Sequence, residues 1–201
     1  MRIFLMFGTL LGWFALVGQF YLIILNRVTS IVDVIIRYFT FYTILTNLLV
    51  ALYFTFLLLS PSSKWGKFFS RTTVATALAV YIAVVGLTYN IVLRPLWNPQ
   101  GLQKVVDELL HSVIPFLYIV YWFLVARKNQ LQWKGILPWL IFPLLYLVVI
   151  LVLGSFSGYY PYPFVDVVNL GYPKVFINCG FVTLAFLFFC FLFVGISKIK
   201  T

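Results

Sequence analysis

Long apolar runs alternate with short polar breaks along the whole chain. A hydrocarbon layer about 30 Å thick needs roughly 20 apolar residues per helix at a rise of about 1.5 Å per residue. Lipid offers no hydrogen-bond partner to the backbone, so each run is expected to be helical. The pattern predicts six transmembrane helices, over residues 3–26, 32–60, 73–94, 104–126, 136–154 and 174–197.

The composition agrees with this pattern. Of the 201 residues, 64% are hydrophobic and only 9% are charged, and the mean hydropathy is +1.08, which is typical of membrane proteins. The first run is too long for a signal peptide and lacks a small-residue cleavage site, so it is predicted to be retained. Because the linkers are short, we expect one all-α, six-helix domain over residues 1–201.

The formal net charge of +10 is explained by membrane topology. If both termini are cytoplasmic, nine of the 14 basic residues lie on the inner side: Arg2, Lys64, Lys67, Arg71, Arg127, Lys128, Lys134, Lys198 and Lys200. The other five lie on the outer side: Arg27, Arg37, Arg94, Lys104 and Lys174. This bias follows the positive-inside rule, so the sequence predicts a plasma-membrane protein with cytoplasmic termini and no nucleic-acid partner.

Acidic side chains are confined to the other side in this topology. All four fall there: Asp33, Asp107, Glu108 and Asp166. A path across the membrane would need polar groups at several depths, whereas this distribution favours a pocket open toward the outer leaflet.

The second predicted helix carries a polar stripe. A rotation of 100° per residue places four side chains within an arc of roughly 80°, with Thr43 at its edge: Asp33, Arg37, Thr40 and Asn47. Charged groups at membrane depth are costly unless they face the bundle interior. The stripe is either one wall of a polar site, or an Asp33–Arg37 ion pair followed by packing residues.

The single histidine, His111, is expected at about the depth of Thr40. Asp107 and Glu108 precede it by four and three residues, so either carboxylate can orient the imidazole. Pro115 cannot donate to the His111 carbonyl, which is predicted to be available in the pocket. A threonine hydroxyl beside an oriented imidazole suits nucleophilic acyl transfer. The alternative is a histidine that only bonds across helices.

Further polar side chains are expected at the same level. Asn47 and Asn90 are candidate oxyanion donors or packing amides. Arg37 and Arg94 are candidate ligands for a carboxylate or phosphate, although Arg94 is equally suited to snorkel to headgroups. Tyr89 and Thr43 complete the predicted substrate-binding set.

An aromatic segment, GSFSGYYPYPFVDVVNLGYP, forms the last predicted outer loop. It is either an aromatic belt at the headgroup layer or a lid that admits a lipid chain. In the second case Tyr162 and Phe164 are expected to contact the substrate.

Several motifs are missing. The sequence contains no GxSxG, no HExxH and no nucleotide-binding loop, and one histidine is too few for bis-histidine haem ligation. Cys179 and Cys190 are roughly 16 Å apart along one helix, so they cannot bridge to each other. We therefore expect neither a cofactor nor a metal ion.

Three segments, RYFTFYTILTN, LLHSVIPFL and GYYPYPFVD, resemble the androgen-induced and androgen-dependent family of membrane hydrolases and its bacterial six-helix relatives. The resemblance implies a threonine hydrolase of fatty-acid esters of hydroxy fatty acids. It assigns the nucleophile to Thr40, rather than Thr43 or Thr46, and the base to His111.

The sequence departs from the family pattern at two points. The animal proteins have one more residue between this histidine and the following proline. They also carry an Asn-His pair where this chain has Asp107 and Glu108. These departures affect the expected substrate more than the nucleophile and base.

The sequence therefore predicts an intramembrane lipid-ester hydrolase. His111 would take the Thr40 proton, Thr40 would attack the ester carbonyl, and water would hydrolyse the acyl-enzyme. The partner is a membrane lipid or fatty-acid ester. The alternatives are a non-catalytic protein that binds or transports a lipid or small anion, and a scaffold without a small ligand.

Overall fold

The computed structural model describes residues 1–125 and 131–199, and this part of the chain is helical without any β-strand. We number the α-helices in chain order: α1 (Arg2–Leu25), α2 (Ile31–Thr40), α3 (Tyr42–Leu59), α4 (Lys64–Phe69), α5 (Thr72–Thr88), α6 (Gly101–Glu108), α7 (Ile114–Val125), α8 (Ile136–Ser157) and α9 (Val167–Ile199).

Within residues 1–125 and 131–199, six helical stretches are long and apolar enough to cross a membrane, and they indicate a membrane-embedded protein: Arg2–Leu25, Tyr42–Leu59, Thr72–Leu96, Gly101–Val125, Trp133–Ser157 and Val167–Ile199. This confirms the predicted all-α class with six spans. The predicted fourth span ends at residue 126, which lies outside the described residues, as do the basic residues Arg127, Lys128 and Lys200.

The second predicted helix is not continuous. Phe41 has an extended backbone (φ −78°, ψ 121°) and separates α2 from α3. Tyr146 of α8 bridges the break, because its hydroxyl donates to the Thr40 carbonyl (2.6 Å) and accepts from the Tyr42 N–H (3.2 Å). The prediction of one helix over residues 32–60 was wrong because a residue about a hundred positions away satisfies the interrupted backbone.

The predicted Asp33–Arg37 ion pair is also absent from the described part of the chain. Asp33 instead takes part in the cap at the start of α2. Its carboxylate accepts a hydrogen bond from the Ser30 hydroxyl (2.7 Å), and its N–H donates to the Ser30 hydroxyl oxygen (3.1 Å). The Arg37 guanidinium lies 4.3 Å from the centre of the Tyr159 ring. Capping and a cation–π contact thus replace the pair.

Two π-helical segments interrupt the third and fourth spans. They comprise Tyr89–Leu93 and Leu109–Val113. Each is followed, one residue later, by a proline, Pro95 or Pro115. A proline has no N–H, so the preceding turn loses a backbone donor and widens. The two segments contact each other in the bundle.

The last span starts earlier than the predicted residue 174. Its backbone leaves the helical conformation at Gly171 (φ 73°, ψ 157°), two residues before Pro173. A positive φ of this kind suits glycine, which has no Cβ.

Helices α1 and α3 pack closely against each other. A Cβ at Gly8 would lie 2.4 Å from the Phe54 ring, and a Cβ at Gly12 would lie 3.0 Å from the Ala51 Cβ. Small residues four apart allow two backbones to approach closely, which drives helix association in lipid.

We expect Gly12→Leu to destabilise the bundle by about 1 to 3 kcal/mol, because the added side chain meets the Ala51 backbone as well as its Cβ. The measurement is thermal unfolding in detergent, followed by tryptophan fluorescence. Gly180→Leu is the matched control, since a Cβ there has nothing within 4 Å. Equal melting temperatures for the two variants would contradict this packing.

Candidate functional site

One cavity, which we call the polar chamber, has a volume of about 800 Å³. It lies at the end of the bundle where α1 ends and α6 begins. His111 and Asp107 line it. Five side-chain amides also line it, among apolar side chains that form most of its surface: Gln19, Asn26, Asn98, Gln100 and Gln103.

A second cavity, the apolar pouch, has a volume of about 280 Å³ and lies between α5, α8 and α9. Most of its lining is aliphatic or aromatic, for example Val84, Leu140, Val182 and Phe186. Leu144 lines the pouch and is also 60% exposed. The pouch therefore opens sideways, toward the region that lipid would occupy.

The two cavities share a wall. Four residues line both: Thr43, Tyr89, Leu93 and Tyr162. The chamber and the pouch are therefore adjacent, with these four side chains between them.

The surroundings of His111 favour one tautomer of the neutral ring. Its Nδ1 lies 2.9 Å from the Asp107 carbonyl oxygen and 3.3 Å from the Asp107 carboxylate. A carbonyl oxygen can only accept, so Nδ1 carries the proton and donates. The other nitrogen, Nε2, is then the basic one, which is the state that a general base requires.

Tyr89 fixes the imidazole from a second direction. Its ring stacks on His111 with centroids 4.0 Å apart and planes 13° apart. Its hydroxyl donates a hydrogen bond to the Asp107 carboxylate. Tyr89, Asp107 and His111 thus form one connected, mostly buried group, in which a rotation of the imidazole would break contacts to both partners.

Glu108 does not contact His111. Its carboxylate lies 2.6 Å from the Arg94 guanidinium, which also donates to the Ser112 hydroxyl (3.1 Å). Of the two carboxylates predicted to orient the imidazole, Asp107 is therefore the one in position. Arg94 and Arg37 line neither the chamber nor the pouch.

Asn47 and Asn90 both support the segment that carries His111. The Asn47 amide donates to the Leu110 carbonyl (3.1 Å) and to the Thr43 carbonyl (2.9 Å). The Asn90 amide donates to the His111 carbonyl (3.3 Å) and to the Gly86 carbonyl (2.8 Å).

These bonds replace backbone donors that the π segment lacks. The Ile114 N–H bonds to the Leu109 carbonyl, and Pro115 has no N–H, so the Leu110 and His111 carbonyls lose their usual partners. Each amide nitrogen has two hydrogens, and both are used, which leaves none for an oxyanion. The His111 carbonyl lacks a backbone partner, as predicted, but it accepts from the Asn90 amide and is not left for a substrate.

The two candidate threonines have different surroundings. Thr40 lines a separate cavity of about 190 Å³ against α8, and its hydroxyl donates to the Arg37 carbonyl (2.7 Å). Thr43 lines the polar chamber together with His111, and its hydroxyl lies 3.3 Å from that of Tyr162. The structure thus brings Thr43, rather than Thr40, into the cavity of the imidazole.

The aromatic loop is fixed in place. The Tyr162 hydroxyl accepts from the Thr43 N–H (3.2 Å), and its ring stacks on Phe164 with centroids 5.2 Å apart. The Asn178 amide donates to the Phe164 carbonyl (2.9 Å). Burial raises the pKa of the Tyr162 phenol, which therefore stays a neutral hydrogen-bond donor.

The amides of the chamber are the residues that sequence reasoning missed. Gln19 and Gln103 lie within or beside predicted spans, and Gln103 donates to Gln19 (2.9 Å) across 84 positions. The signal in the sequence that could have identified them was a polar side chain at membrane depth. Within residues 1–125 and 131–199, no three His, Cys, Asp or Glu side chains are placed to hold a metal ion.

We expect Asn47→Ala to lower the free energy of unfolding by about 1 to 2 kcal/mol, because two carbonyls lose their side-chain donor. In a Pro115→Ala background residue 115 regains an N–H that can reach the Leu110 or His111 carbonyl, so Asn47→Ala should cost less there. A double-mutant cycle of unfolding in detergent measures the difference. Equal costs in both backgrounds would contradict the compensation.

Comparisons with models of protein families, with curated proteins and with solved structures found no match. The resemblance to the androgen-induced and androgen-dependent hydrolases therefore stays a prediction from three short segments.

Proposed function

We propose that the chain is an intramembrane hydrolase of lipid esters, with His111 as general base. One observation carries this proposal: the Tyr89–Asp107–His111 group leaves Nε2 as the basic nitrogen of an imidazole that lines a polar chamber, and this chamber adjoins an apolar pouch. Binding a lipid ester needs both environments, and hydrolysing it needs a base near their junction.

Two threonines are candidates for the nucleophile. The family resemblance assigns the role to Thr40. The geometry favours Thr43, which lines the chamber with His111 and whose hydroxyl lies 3.3 Å from that of Tyr162. For Thr40 to act, its hydroxyl must leave the Arg37 carbonyl and α2 must turn at Phe41.

The proposed reaction has two steps. Nε2 of His111 takes the hydroxyl proton of the threonine as its oxygen attacks the ester carbonyl, and the imidazolium returns that proton to the departing alcohol. Water, activated by the same nitrogen, then hydrolyses the acyl-threonine and releases the fatty acid. The Tyr162 hydroxyl is the proposed donor to the oxyanion, because it lies at the shared wall and stays protonated.

The proposed orientation places the chamber toward the outer leaflet of the plasma membrane. The opposite end of the bundle carries most of the described basic residues: Arg2, Lys64, Lys67, Arg71, Lys134 and Lys198. The positive-inside rule assigns that end to the cytoplasm.

A second candidate is a protein that binds or transports a polar lipid without chemistry. The size of the amide-lined chamber suits the head of a polar lipid. Small-anion binding is less favoured, because Arg37 and Arg94 do not line the chamber. If the His111→Ala variant takes up a labelled lipid into proteoliposomes at the wild-type rate, that result would favour lipid binding or transport over hydrolysis.

The direct experiment is labelling with a fluorophosphonate probe, followed by mass-spectrometric mapping of the modified residue. We expect wild type to be labelled on Thr43 or Thr40, and His111→Ala to lose at least 100-fold in labelling rate because no base remains. Tyr162→Phe should label more slowly than wild type, since one oxyanion donor is lost.

The variants Thr43→Ala and Thr40→Ala separate the two nucleophiles, because only the true one abolishes the label. Thr55→Ala is the matched control, as Thr55 lies on α3 with its hydroxyl bonded to the Ala51 carbonyl (2.7 Å), away from the chamber. Full labelling of both threonine variants and of His111→Ala would refute the proposed mechanism.

A further inference from the structure

We propose that the polar chamber binds an uncharged polyol, so that the preferred substrate is a fatty-acyl ester of a neutral, hydroxyl-rich alcohol. The identification of this ligand as a substrate rests on the proposed function, whereas the predicted binding preference does not depend on it. Esters that carry a free carboxylate or a phosphate should be rejected.

The hydrogen-bonding groups of the chamber match hydroxyls. An amide presents both a donor and an acceptor, as a hydroxyl does, so amides suit polyols. Gln103 donates to Gln19 (2.9 Å), and among the described residues no hydrogen bond engages the Gln19 amide nitrogen or the Gln103 carbonyl oxygen. One donor and one acceptor of this pair therefore remain for the hydroxyls of a ligand.

The charge of the chamber disfavours anions. Among the described residues that line it, Asp107 is the one with a carboxyl group, and none is lysine or arginine. Arg94 and Arg37 do not line the chamber, since Arg94 pairs with Glu108 and Arg37 lies over the Tyr159 ring. An anion would enter beside a carboxylate, without a lysine or arginine among the lining side chains, and would lose part of its hydration.

The position of the chamber orients the ester. The polyol in the chamber and the acyl chain in the pouch place the ester bond at the wall formed by Thr43, Tyr89, Leu93 and Tyr162. The acyl chain has an entrance from the lipid side at Leu144, which is 60% exposed. Water reaches the chamber past Asn98 and Gln100 in the exposed loop.

Two matched ligands test this inference in lipid nanodiscs with the full chain. They are the decyl ethers of glycerol and of glycerate, which differ only in a carboxylate replacing a hydroxymethyl group and which cannot be hydrolysed. We expect calorimetry to give at least tenfold tighter binding for the glycerol ether. Gln103→Lys, which adds a cation inside the chamber, should narrow that ratio at least fivefold.

Gln132→Lys is the control, because it adds the same charge at the opposite end of the bundle and should leave the ratio unchanged. Equal or tighter binding of the glycerate ether to wild type would overturn the inference. Hydrolysis of the corresponding decanoyl esters is the second readout. A retained binding preference without hydrolysis of either ester would contradict the proposed function alone.

Discussion

Pro115 has no N–H group, and the structure of the helix that carries His111 compensates for that missing hydrogen-bond donor. The turn before it widens into a π segment, and the Leu110 and His111 carbonyls turn to the amides of Asn47 and Asn90 on two other spans. Unsatisfied carbonyls in lipid are costly, so these bonds join three helices at one level. The imidazole projects from this junction, which fixes its depth and direction.

The same principle operates at the break between α2 and α3. There the interrupted backbone is satisfied by the hydroxyls of Tyr146 and Tyr162, so the interruption holds α8 and the aromatic loop against α3. Tyr162 thereby becomes part of the wall between a polar and an apolar cavity. Two irregular backbone segments, each satisfied by side chains from distant parts of the chain, create the site.

Much of the architecture could be predicted from the sequence, because span length and apolar periodicity depend on the membrane alone. The relation of His111 to Asp107 was also accessible, since it is a local spacing of four residues. The stripe on the second predicted helix was less accessible. Its geometry assumed one continuous helix, and the break at Phe41 turns Thr40 toward α8 while Thr43 lines the chamber.

Contacts between distant residues account for what the sequence did not reveal. Asp33 and Arg37 have the spacing of an ion pair, but a local cap and the Tyr159 ring offer each a partner. The chamber amides come from α1 and the residue after it, from α6 and from the loop before α6, and no local pattern brings Gln19 to Gln103. Such proximity follows from tertiary packing.

The tautomer of His111 is the most direct test of the proposed base. His111 is the only histidine of the chain, so selective ¹⁵N-histidine labelling gives one imidazole to observe by NMR. In the neutral ring we expect the proton on Nδ1, and Asp107→Asn combined with Tyr89→Phe should loosen this preference. A wild-type protein with the proton on Nε2 would contradict the assignment, because the nitrogen needed as base would then be occupied.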